Sequence, residues 1–166
     1  TICSNCHGSV NANDVQNSIS SEIETLKTNL EGAVQELMTT TLAGGTTIML
    51  TDVTDSNENS LPDVSVSPGS SVSVLMYGES HGRQAVDISV NGGAPVHVQL
   101  QNVTDGTTSI FELSQEGQVI VKAGWNLILV ENDSSKGVHN PSFVIDILAA
   151  SNSAINNTDF STITPL

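Results

Sequence analysis

The residues of this chain best suited to chemistry stand in one short string, Cys3-Ser4-Asn5-Cys6-His7. Its two cysteines are the only ones in 166 residues. Cys-x-x-Cys-His is the spacing of covalent haem attachment. Two thiols add across the two haem vinyl groups as thioethers, and two intervening residues let the backbone bridge those positions. The adjacent imidazole is then carried under the ring to ligate iron. Other readings of the string are weaker. A thioredoxin-like redox pair opens a helix after a strand, whereas only two residues precede Cys3 here. A zinc site needs a fourth ligand and usually a second pair, and a disulfide across this spacing would close a tiny, strained loop. The expected cofactor is therefore one covalent haem c, bound through Cys3 and Cys6, with His7 as the proximal iron ligand.

Composition agrees with such a role and narrows it. The chain has 18 acidic side chains against 4 Lys plus Arg, a formal charge of -14. Nucleic acid or an anionic membrane surface would need a basic face. Only 13% of residues are charged, so polarity comes from Ser, Thr, Asn and Gln, a composition common in exported β-rich proteins. No apolar run approaches the roughly 18 residues of a membrane span, and no basic start precedes an apolar stretch, so any export signal has already been removed. Haem c is attached outside the cytoplasm, so the expected location is extracellular, cell-surface or periplasmic.

The elements that must position the string can be read from periodicity. Asn13 or Asp14 offers an N-cap, and Ile19, Ile23, Leu26, Leu30, Val34, Leu37, Met38 and Leu42 recur at steps of three and four. Gly44-Gly45 supplies the stop. This predicts a helix over 14–43, roughly 45 Å long and longer than the ~40 Å diameter of a compact domain of this size. Such a helix is expected to bend, break or extend towards a neighbour. The period then changes to two, predicting strands over 46–53, 70–77, 85–91, 95–102, 107–113 and 117–122. Asn91-Gly92-Gly93 marks a hairpin between Val86/Ile88/Val90 and Val96/Val98/Leu100, and Ser67-Pro68-Gly69-Ser70 and Thr104-Asp105-Gly106-Thr107 mark turns. The expectation is an antiparallel β sandwich or barrel. From Ala123 to Pro141 periodicity does not separate a buried strand from a helix. Asn140 then caps a short helix to about Ala150, with Pro141 at its first position. The tail over 151–166 alternates like a strand, or is a flexible end. The fold class is α+β in a single haem-binding domain over 1–166. It divides into attachment motif and helix (1–45), inserted β module (46–122), distal-ligand segment and helix (123–150), and tail (151–166).

One segment resembles a known family. Trp125-Asn126, followed by Asp133-Ser134-x-Lys136-Gly137-Val138-His139-Asn140-Pro141 and a short apolar helix, is similar to the closing segment of many multihaem c-type cytochromes. There the His of the Gly-Val-His-Asn-Pro string is commonly a distal haem ligand. The resemblance implies His139 as the sixth ligand opposite His7. It covers about residues 3–7 and 125–148 and leaves the β module outside. The family carries several haem motifs and this sequence holds one, so the expectation is a one-haem relative. A helix entrance fixed by Asn140 and Pro141 would give the preceding side chain a rigid mount. His81, Met38 and a ligand from another subunit remain alternatives. His97 alternates opposite Val96 and Val98 and is expected to face solvent, and Met38, Met49 and Met76 are expected in the core.

No nucleophile elbow, zinc-hydrolase motif or EF-hand spacing occurs, and a peroxidase-like iron needs an open position that His139 would close. The chain is thus expected not to be an enzyme. It reads as a secreted monohaem c-type cytochrome that carries electrons through a six-coordinate, bis-His haem. The expected partners are redox proteins or further copies in an extracellular filament, polymerised through the long helix, a β edge and the tail. The alternative is a structural or adhesive β-rich surface protein with a structural haem. Asn102, Asn132 and Asn156 begin Asn-x-Ser/Thr triplets that would accept glycans.

Overall fold

A computed structural model describes residues 12–133 and 140–166. The first element is a continuous helix, α1 (Ala12–Ala43). Ile19, Leu26, Leu30, Val34, Leu37, Met38 and Leu42 form its buried stripe, as their spacing requires. The stop is a Schellman turn: Thr46 N–H donates to the Thr41 carbonyl, Gly45 N–H to that of Leu42, and Gly45 takes the left-handed φ of 89° that glycine adopts without strain. The helix runs for about 48 Å without interruption, so the break that its length suggested does not occur.

The strands are β1 (Ile48–Leu50), β2 (Val64–Val66), β3 (Val72–Ser80), β4 (Arg83–Val90), β5 (Val96–Gln99) and β6 (Val103–Thr104). They form two three-stranded antiparallel sheets, ordered β2-β1-β6 and β3-β4-β5. This is not a barrel. The hairpin at Asn91-Gly92 forms in the expected register, Val86 opposite Val98 and Ile88 opposite Val96, with φ of 52° and 71° at the turn. β3 is an edge strand, and α1 covers part of that edge. Gln35 Oε1 accepts from Val74 N–H (3.1 Å) and Glu31 Oε1 from Tyr77 N–H (3.2 Å), which satisfies donors that an open edge would expose.

Two expected strands are absent. Residues 107–113 hold a 3-10 turn, Ile110–Glu112, and residues 117–122 lie inside a helix, α2 (Gln115–Glu131). Ser114 caps α2, its hydroxyl accepting from Gly117 N–H (3.0 Å). A Cβ on Gly117 would stand 2.5 Å from the Phe111 carbonyl oxygen, so only glycine lets α2 start against that turn. Farther along, Gly124 lies against the buried Tyr77 hydroxyl and Gln84. The Tyr77 hydroxyl and Gln84 Oε1 are 2.5 Å apart, and Gln84 Nε2 donates to the Val121 carbonyl. α2 thus rests on the sheet through its glycine face, and the boundary expected near residue 122 falls within one helix.

The last helix, α3 (Pro141–Asn156), begins as expected, with Asn140 Oδ1 accepting from Phe143 N–H and proline in the first turn. It runs on through residues expected to belong to the tail. Beyond Asn156 the chain is pinned rather than strand-like or free. Thr40 Oγ1 donates to the Phe160 carbonyl, Thr164 N–H to Glu116 Oε2 (2.9 Å), and Gln115 N–H to the Thr164 carbonyl. Pro165 bridges to Ser114.

Candidate functional site

Cys3, Cys6, His7 and His139 lie outside the described residues, so the structure bears on them through their neighbours in the chain, Ala12 and Asn140. Asn152 of α3 accepts from Asn29 Nδ2 (2.9 Å) and donates to Glu22 Oε2 (3.3 Å). Farther along, Ile155 and Asn156 of α3 share a cleft with Gly32 and Glu36 of α1, and Phe160, just past α3, meets Thr40. Residue numbers climb together on the two elements, so α1 and α3 run parallel and start at the same end. Counted back about three turns from Asn152, Pro141 stands level with the first turn of α1.

α2 runs the other way. Its Gly124 packs on Tyr77, whose N–H is held by Glu31 of α1. Seven residues later Glu131 reaches Lys27, Oε1 to Nζ 2.6 Å. Asn126 Nδ2 donates to Ser151 Oγ of α3 (2.9 Å). The finish of α2 therefore arrives where α1 and α3 begin, and Ala12, Asp133 and Asn140 share one end of the helical layer. Both strings expected to ligate haem attach to the chain there. Near that end Ser20, Ile23 and Glu24 of α1 and Val130 and Glu131 of α2 bound a cleft of about 190 Å³.

Midway along α1, Lys27 carries the ion pair to Glu131 of α2. Partial burial works against its ammonium. The hydrogen bond to Glu131 and the charges of Glu131, Glu24 and Glu31 outweigh that, so its pKa lies above the ordinary value. Glu116, at the other end of α2, is held below the usual glutamate value. Its burial opposes ionisation, but the Thr164 N–H bonded to its carboxylate more than offsets this.

The other candidate ligands lie elsewhere. Met38 is fully buried in the core. Met49 is half-buried. Met76 is 47% exposed, contrary to expectation, because the β3–β4 register shifts between Val74 and Met76. The inserted residue turns Met76 to the outer face of the sheet. His97 also sits on that face, only partly exposed, its Nδ1 2.8 Å from Asp87 Oδ1. His81 is the first turn residue of the β3–β4 hairpin, with φ 53°, and its Nδ1 is 3.1 Å from Ser80 Oγ. Met76, His81 and His97 line a polar cleft of about 610 Å³ under the 52–58 loop, and no residue of the three helices lines it. Among the described residues no cluster of three or more His, Cys, Asp or Glu could hold a metal ion. None of their helices is long and apolar enough to cross a membrane.

Periodicity alone did not bring out the apolar side chains left exposed beside the shared end, Leu129 of α2 and Phe143 of α3, 55% and 51% exposed. Their signal is positional: Leu129 follows Trp125 by four residues, and Phe143 follows His139 by four. No protein-family model matches the chain, and neither does any curated protein or solved structure.

Proposed function

We propose that the chain is a secreted one-haem c-type cytochrome that transfers electrons and catalyses no reaction of its own. Cys3 and Cys6 bind haem c covalently, and His7 and His139 are its axial ligands. The observation that supports this reading is the parallel packing of α1 and α3, fixed by Asn152 against Glu22 and Asn29. It starts both helices at one end, so ligand strings far apart in sequence attach to the fold side by side. The donor set suits the group: two thiols at vinyl spacing and two imidazoles. When bound, haem supplies a one-electron ferric/ferrous couple whose potential follows the axial ligands and the burial around them. The chain holds the group, supplies both ligands and limits water at its edge.

On this reading the location is extracellular, cell-surface or periplasmic, and the partners are redox proteins. A homopolymer joined through the tail has less support, since Pro165 already bridges to Ser114 of the same chain. Acid extraction of protein made in a host that attaches haem c tests the reading. Haem staying with the polypeptide, and lost in Cys3→Ala/Cys6→Ala, is expected. Haem extracted freely from the unaltered chain overturns it.

A further inference from the structure

Around α2, Leu129 stands about 60° from Asn126, away from the buried Leu127. Around α3, Phe143 stands about 80° from Ser151, away from the buried Leu148 and Asn152. Asn126 and Ser151 face each other, the helices are antiparallel, and both turn their buried residues to the same side. Leu129 and Phe143 therefore open onto one groove, on its outer face, with the half-buried Ile147 between them. Trp125, 48% exposed, continues the strip one turn from Leu129. The apolar end of the strip is the end at which Asp133 and Asn140 stand, nearest to where His139 joins the chain.

Exposed apolar surface of this kind is unfavourable in water. Here its position indicates what removes it from water. We infer that Leu129 and Phe143 form the apolar seat of the porphyrin edge, with Ile147 as its floor. This rests on the cytochrome reading and adds the side chains that shield the group once the ligands hold it. A porphyrin supplies a broad apolar face and edge, the chemistry that Leu and Phe on adjoining helices cover best. Phe143 touches the ring edge and keeps water from it, but donates nothing to iron.

The test uses the haem-loaded, ferrous, low-spin protein and three variants: Leu129→Ser, Phe143→Ser, and Leu75→Ser as a control. Leu75 is 54% exposed but lies on β3, away from the helix ends. With the porphyrin seated on the strip, its ring current displaces the Leu129 methyl proton resonances from the ordinary methyl range. Phe143→Ser keeps the covalent haem but lowers the reduction potential, because water at the edge favours the more highly charged ferric state. Leu75→Ser leaves the potential unchanged. Retained haem with ordinary Leu129 resonances, and with Phe143→Ser matching Leu75→Ser, overturns the inference while leaving the cytochrome standing. So does sedimentation showing a dimer that Leu129→Ser dissociates without any change in the haem spectrum, since a second copy would then cover the strip. An unaltered chain that retains no haem overturns both.

Discussion

Gly124→Ala asks whether α2 is held on the sheet by close approach. A Cβ at this position would lie 1.9 Å from the Tyr77 hydroxyl and 2.4 Å from Gln84 Oε1. Neither partner gives way cheaply. Tyr77 is buried, its hydroxyl is bonded to Gln84, and Gln84 is tied in turn to the Val121 carbonyl of α2 itself. The added methyl must push the helix off the sheet or break the Tyr77–Gln84 bond. Overpacking costs about 1–3 kcal/mol, and a buried donor or acceptor left unpaired about 1–3 kcal/mol more. Replacing glycine by alanine inside a helix returns about 1 kcal/mol. The net expectation is a loss of roughly 1–5 kcal/mol, read in urea as a midpoint lowered by about 0.5–2.5 M for a slope near 2 kcal/mol per M. Adding Tyr77→Phe removes the nearest clashing atom, so the double variant should lose less than the two single losses summed. A Gly124→Ala chain as stable as the parent, or more so, would show that helix propensity outweighs contact here and would refute the packing described.

Gly32 is the converse case. It is exposed in the middle of α1 with nothing within 4 Å of an added Cβ, so Gly32→Ala should raise stability by about 0.5–1 kcal/mol in the same urea assay. Asn140→Ala removes the side chain that accepts from Phe143 N–H and should cost about 1 kcal/mol, with the first turn of α3 exchanging its amide hydrogens faster than the last. Glu116 has a folded pKa below its ordinary value of 4.5. Its contribution is therefore complete above that value and is lost as the pH falls through the lower, folded pKa. Glu116→Gln should flatten the acid limb of the stability curve below about pH 5, and an unchanged limb would contradict the Thr164 contact. For Lys27, raised above its ordinary 10.5, the sign reverses. Its contribution is complete below that value and fades as the pH rises through the folded pKa, so Lys27→Met should remove part of the alkaline limb of thermal denaturation.

Elements set by local chemistry were readable in the residues themselves. The α1 stripe from Ile19 to Leu42, the Gly45 stop, the Asn91-Gly92 turn and the Asn140-Pro141 cap each depend on a few neighbouring side chains, and each forms where expected. What misled was structure imposed from a distance. Val119-Ile120-Val121 is a β-branched run, yet it is helical because Ser114 caps it and Gly117 and Gly124 let the helix reach the Phe111 turn and Tyr77. Alternation in β3 placed Met76 inside, and a single shift of register after Val74 turned it out. The three-residue β2 carries too short a pattern to register. The site divides in the same way. Its ligand strings are local motifs, but the adjacency of their attachment points depends on Asn152 reaching Glu22 and Asn29, more than a hundred residues away.

Low-temperature EPR of the oxidised, haem-loaded protein beside its His139→Ala variant reads the axial ligands from the iron itself. Two imidazoles on one iron give a low-spin signal in the parent, and loss of His139 should turn it high-spin while the haem stays covalently attached. A variant that keeps the parent's low-spin signal would contradict His139 as a ligand, and a parent that holds no haem would contradict the cytochrome itself.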